Sequence, residues 1–161
     1  MMEKLYILCV EDQPEVLETV VNQLAVFQDY AIIEECDSGD EAIELMDEID
    51  GDGHHVALII SDHVMPGLSG VEFLAKVAQD DRFTHTKKVL LTGQVTHVDT
   101  IQAINLARID QYLSKPWQRD ELINSTKILL TEFLFAKGLA YQPFQSVLDK
   151  QRLFELMLGA L

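Results

Sequence analysis

The chain has 161 residues, a formal charge of −15 and a sequence pI near 4.5. That length suits one domain with a proper core and falls short of two of ordinary size. Only 12 Lys and Arg stand against 27 Asp and Glu, which argues strongly against direct nucleic-acid binding, since neutralising phosphates needs a basic face, and favours a chain that collects cations in a cleft.

The N-terminal run MMEKLYILCVEDQ has an apolar core of only about six residues, too short for a secretory h-region or a membrane span. Two cysteines, Cys9 and Cys36, make neither a disulfide framework nor a zinc spacing, and a reducing cytoplasm is the expected location. Short apolar runs then alternate with segments of helical period, the pattern of a βα repeat over a parallel sheet. Strands are predicted at Leu5 to Val10, Tyr30 to Glu34, Val56 to Ser61, Lys88 to Thr92 and Gln111 to Leu113. Val16, Leu17, Val20, Val21 and Leu24 form one helical stripe, and Ala42, Ile43, Leu45, Met46 and Ile49 another. Further helices are predicted at Val71 to Ala78, Thr100 to Ala107 and from Asp120 onward, with loops at residues 51–55, at Asp80 and Asp81, and at Gly93. His54 and His55 fall in the first of these loops and read as solvated rather than metal-binding. Five such units suit an α/β, flavodoxin-like, doubly wound five-stranded parallel sheet in the order 2-1-3-4-5.

The last helix outruns what that sheet needs. Residues 128–141, ILLTEFLFAKGLAY, are apolar nearly all round, and beyond Pro143 a second amphipathic segment carries Phe144, Val147, Leu148, Phe154, Met157, Leu158 and Leu161. We divide the chain into a domain at 1–137 and a C-terminal helical extension at 138–161. The extension either folds back on its own domain or serves as a dimer contact or a connector to another module; a complete sheet leaves little core uncovered, which favours the second reading.

Chemistry-bearing residues gather at the carboxyl ends of the predicted strands, where open α/β sheets bind ligands. The first strand ends at Val10 and is followed by Glu11 and Asp12; the third ends at Ser61 and is followed by Asp62. In a 2-1-3 order these strands are neighbours, so the three carboxylates converge. They cannot all stay ionised and dry without a cation, and Mg2+, a hard ion with oxygen ligands, fits best. The fourth strand delivers the hydroxyl of Thr92 and the unobstructed N–H of Gly93, and the fifth delivers Lys115. A cation and a hydroxyl facing a carboxylate across a Mg2+ site make a cradle for a phosphoryl group carried on that carboxylate.

The ordered set of Glu11 and Asp12, then Asp62, Met65, Pro66 and Gly70, then Thr92 before Gly93, then TyrLeuSerLysPro at 112–116, resembles the receiver domain of two-component response regulators, the CheY-like family. The likeness spans residue 4 to about residue 135. It implies that Asp62 accepts a phosphoryl group from a histidine kinase or phosphotransfer protein. Glu11, Asp12, Asp62 and the backbone carbonyl of Val64 would hold Mg2+, while Thr92, Gly93 and Lys115 hold the phosphoryl oxygens. Thr92 and Tyr112 would form a coupled switch that reshapes the face made by the helix at 100–107, the fifth strand and the helix from Asp120, and the peptide before Pro116 is expected to be cis. Partners would be the phosphodonor and a downstream output module or protein, with a homodimer through the C-terminal helices as a further option. Val64, two residues past Asp62, offers no polar group to orient an attacking water, so slow loss of the phosphoryl group is expected. Trp117 reads as a packing aromatic at the start of the last helix.

Two other classes stand beside this. A Mg2+-dependent phosphohydrolase working through an aspartyl phosphate would need a second carboxylate where Val64 stands, and an unphosphorylated interaction module would be expected to lack Asp62, Thr92 or Lys115. A phosphoacceptor rather than an enzyme is therefore the reading.

Overall fold

Near-continuous apolar strands force the sheet to be covered on both faces, and the architecture follows from that requirement. The computed structural model describes residues 3–93 and 105–159. Five parallel strands, β1 (Leu5–Val10), β2 (Ile32–Cys36), β3 (His55–Asp62), β4 (Lys87–Thr92) and β5 (Gln111–Ser114), pair in the order β2-β1-β3-β4-β5. Helices α1 (Pro14–Gln23) and α4 (Arg119–Lys137) cover one face; α2 (Gly39–Gly51) and α3 (Gly70–Ala78) cover the other.

Strand alternation sorts side chains between the two cores. Ile7 and Cys9 enter the core under α1 and α4, with Val20, Leu24, Leu122, Leu130 and Phe133; Leu8 and Val10 enter the other, with Met46, Phe73 and Leu74. Each such fully buried side chain contributes roughly 1.5–3 kcal/mol. Cys9 and Cys36 are both buried and reduced, and they lie in opposite cores, so the sheet itself separates them.

Local signals set the helix ends. Ser38 Oγ accepts from Glu41 N at 3.1 Å to start α2, and Ser69 with Glu72 forms a reciprocal capping box at α3, a contribution of about 1 kcal/mol. Gly138, at φ 73°, takes the left-handed conformation that ends α4. Among the described residues no helix is long and apolar enough to cross a membrane.

The strand at 30–34 begins later than its composition suggests. Tyr30 N and Ala31 N both donate to Phe27 O, so the chain is still turning there, and β2 runs from Ile32 to Cys36 with Cys36 beside Val10. His54 and His55 also depart from a solvated loop: His54 Nδ1 accepts from Lys4 N at 3.1 Å, and His55 opens β3 with Nε2 3.0 Å from Glu3 Oε2. Of the helix predicted at 100–107, residues 105–107 are helical and 100–104 lie outside the described residues.

The extension folds back on the domain. A 3-10 turn at Gln142–Val147 leads to α5 (Lys150–Gly159); Val147 and Leu148 enter the core under α4, Leu153 is buried, Asp149 N donates to Thr131 Oγ1 at 3.1 Å, and Arg152 Nε donates to Glu132 Oε1 at 2.9 Å. The C-terminal half of α4, from Ile128, is apolar nearly all round because it meets the sheet on one side and this tail on the other. Phe154, Met157 and Leu158 remain exposed on α5.

Candidate functional site

The βα arrangement delivers the side chains singled out above to one rim. Glu11 and Asp62 are buried, at 3% and 5% exposure, and Asp12 is half-buried. One carboxylate oxygen from each of Glu11, Asp12 and Asp62 lies within 4.8 Å of the others. Glu11 leaves the end of β1 with its N–H on Cys36 O at 3.0 Å, and its Oε1 accepts from Gln13 N at 3.1 Å. Lys115 Nζ is paired with Asp62 Oδ1 and lies 3.8 Å from Glu11 Oε2.

One lysine does not neutralise three carboxylates. Burial, followed by the nearby charge of Asp62, pushes the Glu11 carboxyl up to about 7, while the Gln13 N–H and Lys115 act against the rise. Among the described residues, four buried side-chain polar atoms lack any hydrogen-bond partner: Glu11 Oε2, Asp12 Oδ1, Thr92 Oγ1 and Nδ1 of His63, the residue after Asp62. An unpaired buried polar atom costs about 1–3 kcal/mol, so this local concentration of them marks a place built to receive a ligand.

The loop after Asp62 is shaped by backbone contact. Gly70 N donates to His63 O at 2.8 Å, and a Cβ on Gly70 would collide with the Asp62 carbonyl oxygen and lie 2.9 Å from His63 Cα. Only glycine lets α3 start this close to the strand end. Within that loop Met65 is buried in the core under α2 and α3, Pro66 is exposed, Gly67 has φ 78°, and Val64 is 78% exposed. Ser61 Oγ donates to Asp62 O at 2.8 Å, a buried contact.

At the neighbouring strand ends, Thr92 O accepts from Lys115 N at 2.9 Å, Gly93 is exposed, and the Lys115–Pro116 bond is cis. Tyr112 is 41% exposed on β5. Trp117 packs against the core under α1 and α4 and donates from Nε1 to Gln23 Oε1 at 2.7 Å. Gln13, Ser61 and Gln23 escaped sequence reasoning; the first two flank recognised acids in the chain, whereas nothing local marks Gln23.

The family model of the response regulator receiver domain matches residues 7–127. The response regulator Rre1 of Synechocystis sp. is 37% identical over 123 residues, 76% of this chain and 50% of that protein. The hydrogenase transcriptional regulatory protein HoxA of Cupriavidus necator is 39% identical over 72 residues, 45% of this chain and 14% of that protein. The chain thus spans half or less of the length of these two relatives. Among solved structures, the signal receiver domain of an HD domain-containing protein from Pseudomonas fluorescens Pf-5 superposes with a TM-score of 0.72 at 25% identity, covering 86% of this chain and 95% of that one. Motif order, sheet order and these likenesses agree: the chain belongs to the response regulator receiver domain family, a family of signalling domains.

Proposed function

We propose that Asp62 is the phosphoacceptor of a phosphorelay, charged by a histidine kinase or phosphotransfer protein. The observation that carries this is the buried Asp62 carboxylate, paired with Lys115, with Glu11 and Asp12 beside it and the unsatisfied hydroxyl of Thr92 at the end of the neighbouring strand β4. An Asp62 oxygen bonds to phosphorus as the bond from phosphorus to the donor's imidazole nitrogen breaks; the electron pair leaves with that nitrogen, which takes up a proton.

The unpartnered oxygens of Glu11 and Asp12, with Asp62, fit a hard divalent cation, and we assign Mg2+ to Glu11, Asp12, Asp62 and the backbone carbonyl of Val64. When bound it supplies positive charge against the incoming phosphoryl oxygens. Lys115 stabilises charge on the transferred group, and Thr92 and the N–H of Gly93 bind its oxygens. Thr92, whose hydroxyl has no competing partner, turns toward the acyl phosphate, and the half-exposed Tyr112 ring takes the space it leaves. Phosphorylation adds about two negative charges at this rim, and the face including β5 and α4 carries the change to an output partner.

The exposed, apolar Val64 stands where a phosphohydrolase needs a second carboxylate, which supports a slow-resetting phosphoacceptor over an enzyme acting on an external substrate. Two free, buried cysteines support a reducing cytoplasm, and the acidic balance argues against direct contact with nucleic acid or an anionic membrane surface. Residues 138–161 we read as an extension beyond the receiver, with Phe154, Met157 and Leu158 offered to a second copy or to an output module. Incubation with acetyl phosphate and Mg2+, followed by intact mass, should show one phosphoryl group on the wild type and none on Asp62→Asn. No gain on the wild type would reject the assignment in favour of an unphosphorylated interaction module.

A further inference from the structure

Lys115 has to meet a group at Asp62 from a three-residue bridge that leaves the sheet after Ser114 and enters α4 at Arg119 through Gln118. One end of that bridge is tied to β4, because Lys115 N donates to Thr92 O at 2.9 Å. The other end is Trp117, whose indole lies half-buried against the core under α1 and donates to Gln23 Oε1 at 2.7 Å. Gln23 is the last residue of α1, the helix that begins at Pro14, directly after the stretch carrying Glu11, Asp12 and Gln13. On its other side the bridge borders a shallow, open depression lined by Glu15, Val16, Thr19, Lys115, Pro116 and Trp117, so packing from that side does not hold it. The far end of the bridge is therefore tied, by the packing of the indole and by its hydrogen bond to Gln23, to the same helix that follows the acidic pair.

We infer that Trp117 and Gln23 are positioning residues for Lys115: their hydrogen bond sets the reach of the Lys115 ammonium toward Asp62. This rests on Asp62 being the phosphoacceptor. A group with three rotatable donors on a flexible stem gains its catalytic effect only where its backbone is held, and misplacement of about 1 Å can cost about 100-fold in rate.

The test measures the rate of phosphorylation by acetyl phosphate over a range of its concentrations at saturating Mg2+, by intact mass, for the wild type and for Gln23→Leu, Gln23→Glu, Trp117→Phe and the Gln23→Leu/Trp117→Phe pair, with thermal melts confirming that each is folded. Gln23→Leu and Trp117→Phe should each lower the maximal rate about tenfold, with the half-saturating concentration little changed. The pair should be no slower than either single variant, and Gln23→Glu, which keeps the acceptor, should retain the wild-type rate. Wild-type rates in both single variants, or losses that multiply in the pair, overturn the positioning role. A wild type that gains no phosphoryl group overturns the assignment of Asp62, and with it any need to aim Lys115.

Discussion

Glu11 is the residue whose state the fold constrains most visibly. It is buried, holds one backbone N–H from Gln13, and sits near Asp62 with only a distant share of Lys115. Its carboxyl ordinarily titrates near 4.5 and in the fold is pushed up to about 7, chiefly by burial. Between those values the folded chain keeps a proton that the unfolded chain releases, so stability is highest below the lower value and declines as pH rises through the window. Without divalent ions, Tm should fall by about 5 °C between about pH 5 and about pH 8. Glu11→Gln, which cannot ionise, should flatten that slope, and Mg2+ should raise the wild-type Tm more at the higher pH than at the lower. Calorimetric scans of both proteins check this; an unchanged slope in Glu11→Gln would assign the pH dependence to other groups.

At the scale of elements, the C-terminal tail is a second cover on α4 rather than a detached helix. Leu153 is buried against the domain, while the Arg152 pair with Glu132 lies partly in solvent and continues to Lys87, 3.4 Å from Glu132 Oε2. Burial outweighs a partly exposed ion pair, so Leu153→Ala should cost about 2 kcal/mol and Arg152→Ala less than about 1. In Leu153→Ala, hydrogen exchange should quicken across residues 150–159 and stay slow in β1 and β3; equal acceleration everywhere would make the tail part of one cooperative unit. Strands and acids were legible because buried parallel strands are apolar runs and their ends place charged residues abruptly. The start of β2 was not, since Tyr30 and Ala31 are apolar yet still bonded to Phe27 O. An apolar stripe on the tail shows that something covers it without naming what, and no local pattern joins Trp117 to Gln23, 94 residues earlier.

The molecule as a whole adds a field to the local ligands. Its formal charge of −15 surrounds a rim where three carboxylates meet one lysine, so on the proposed reading a divalent cation would be drawn first by the distributed charge and then by Glu11, Asp12 and Asp62. These contributions separate by salt. The screening length shrinks from about 30 Å at about 0.01 M to about 3 Å at about 1 M, which removes the distant charges and leaves the buried ligands nearly untouched. Mg2+ affinity, measured calorimetrically in tetramethylammonium chloride to avoid competition by small cations, should weaken about tenfold across that range. Asp62→Asn should bind Mg2+ more weakly at every salt concentration yet keep the same dependence on salt, because that slope belongs to the surface and not to the site. An affinity indifferent to salt would mean that the three carboxylates act alone and that the acidity of the chain serves something other than cation capture.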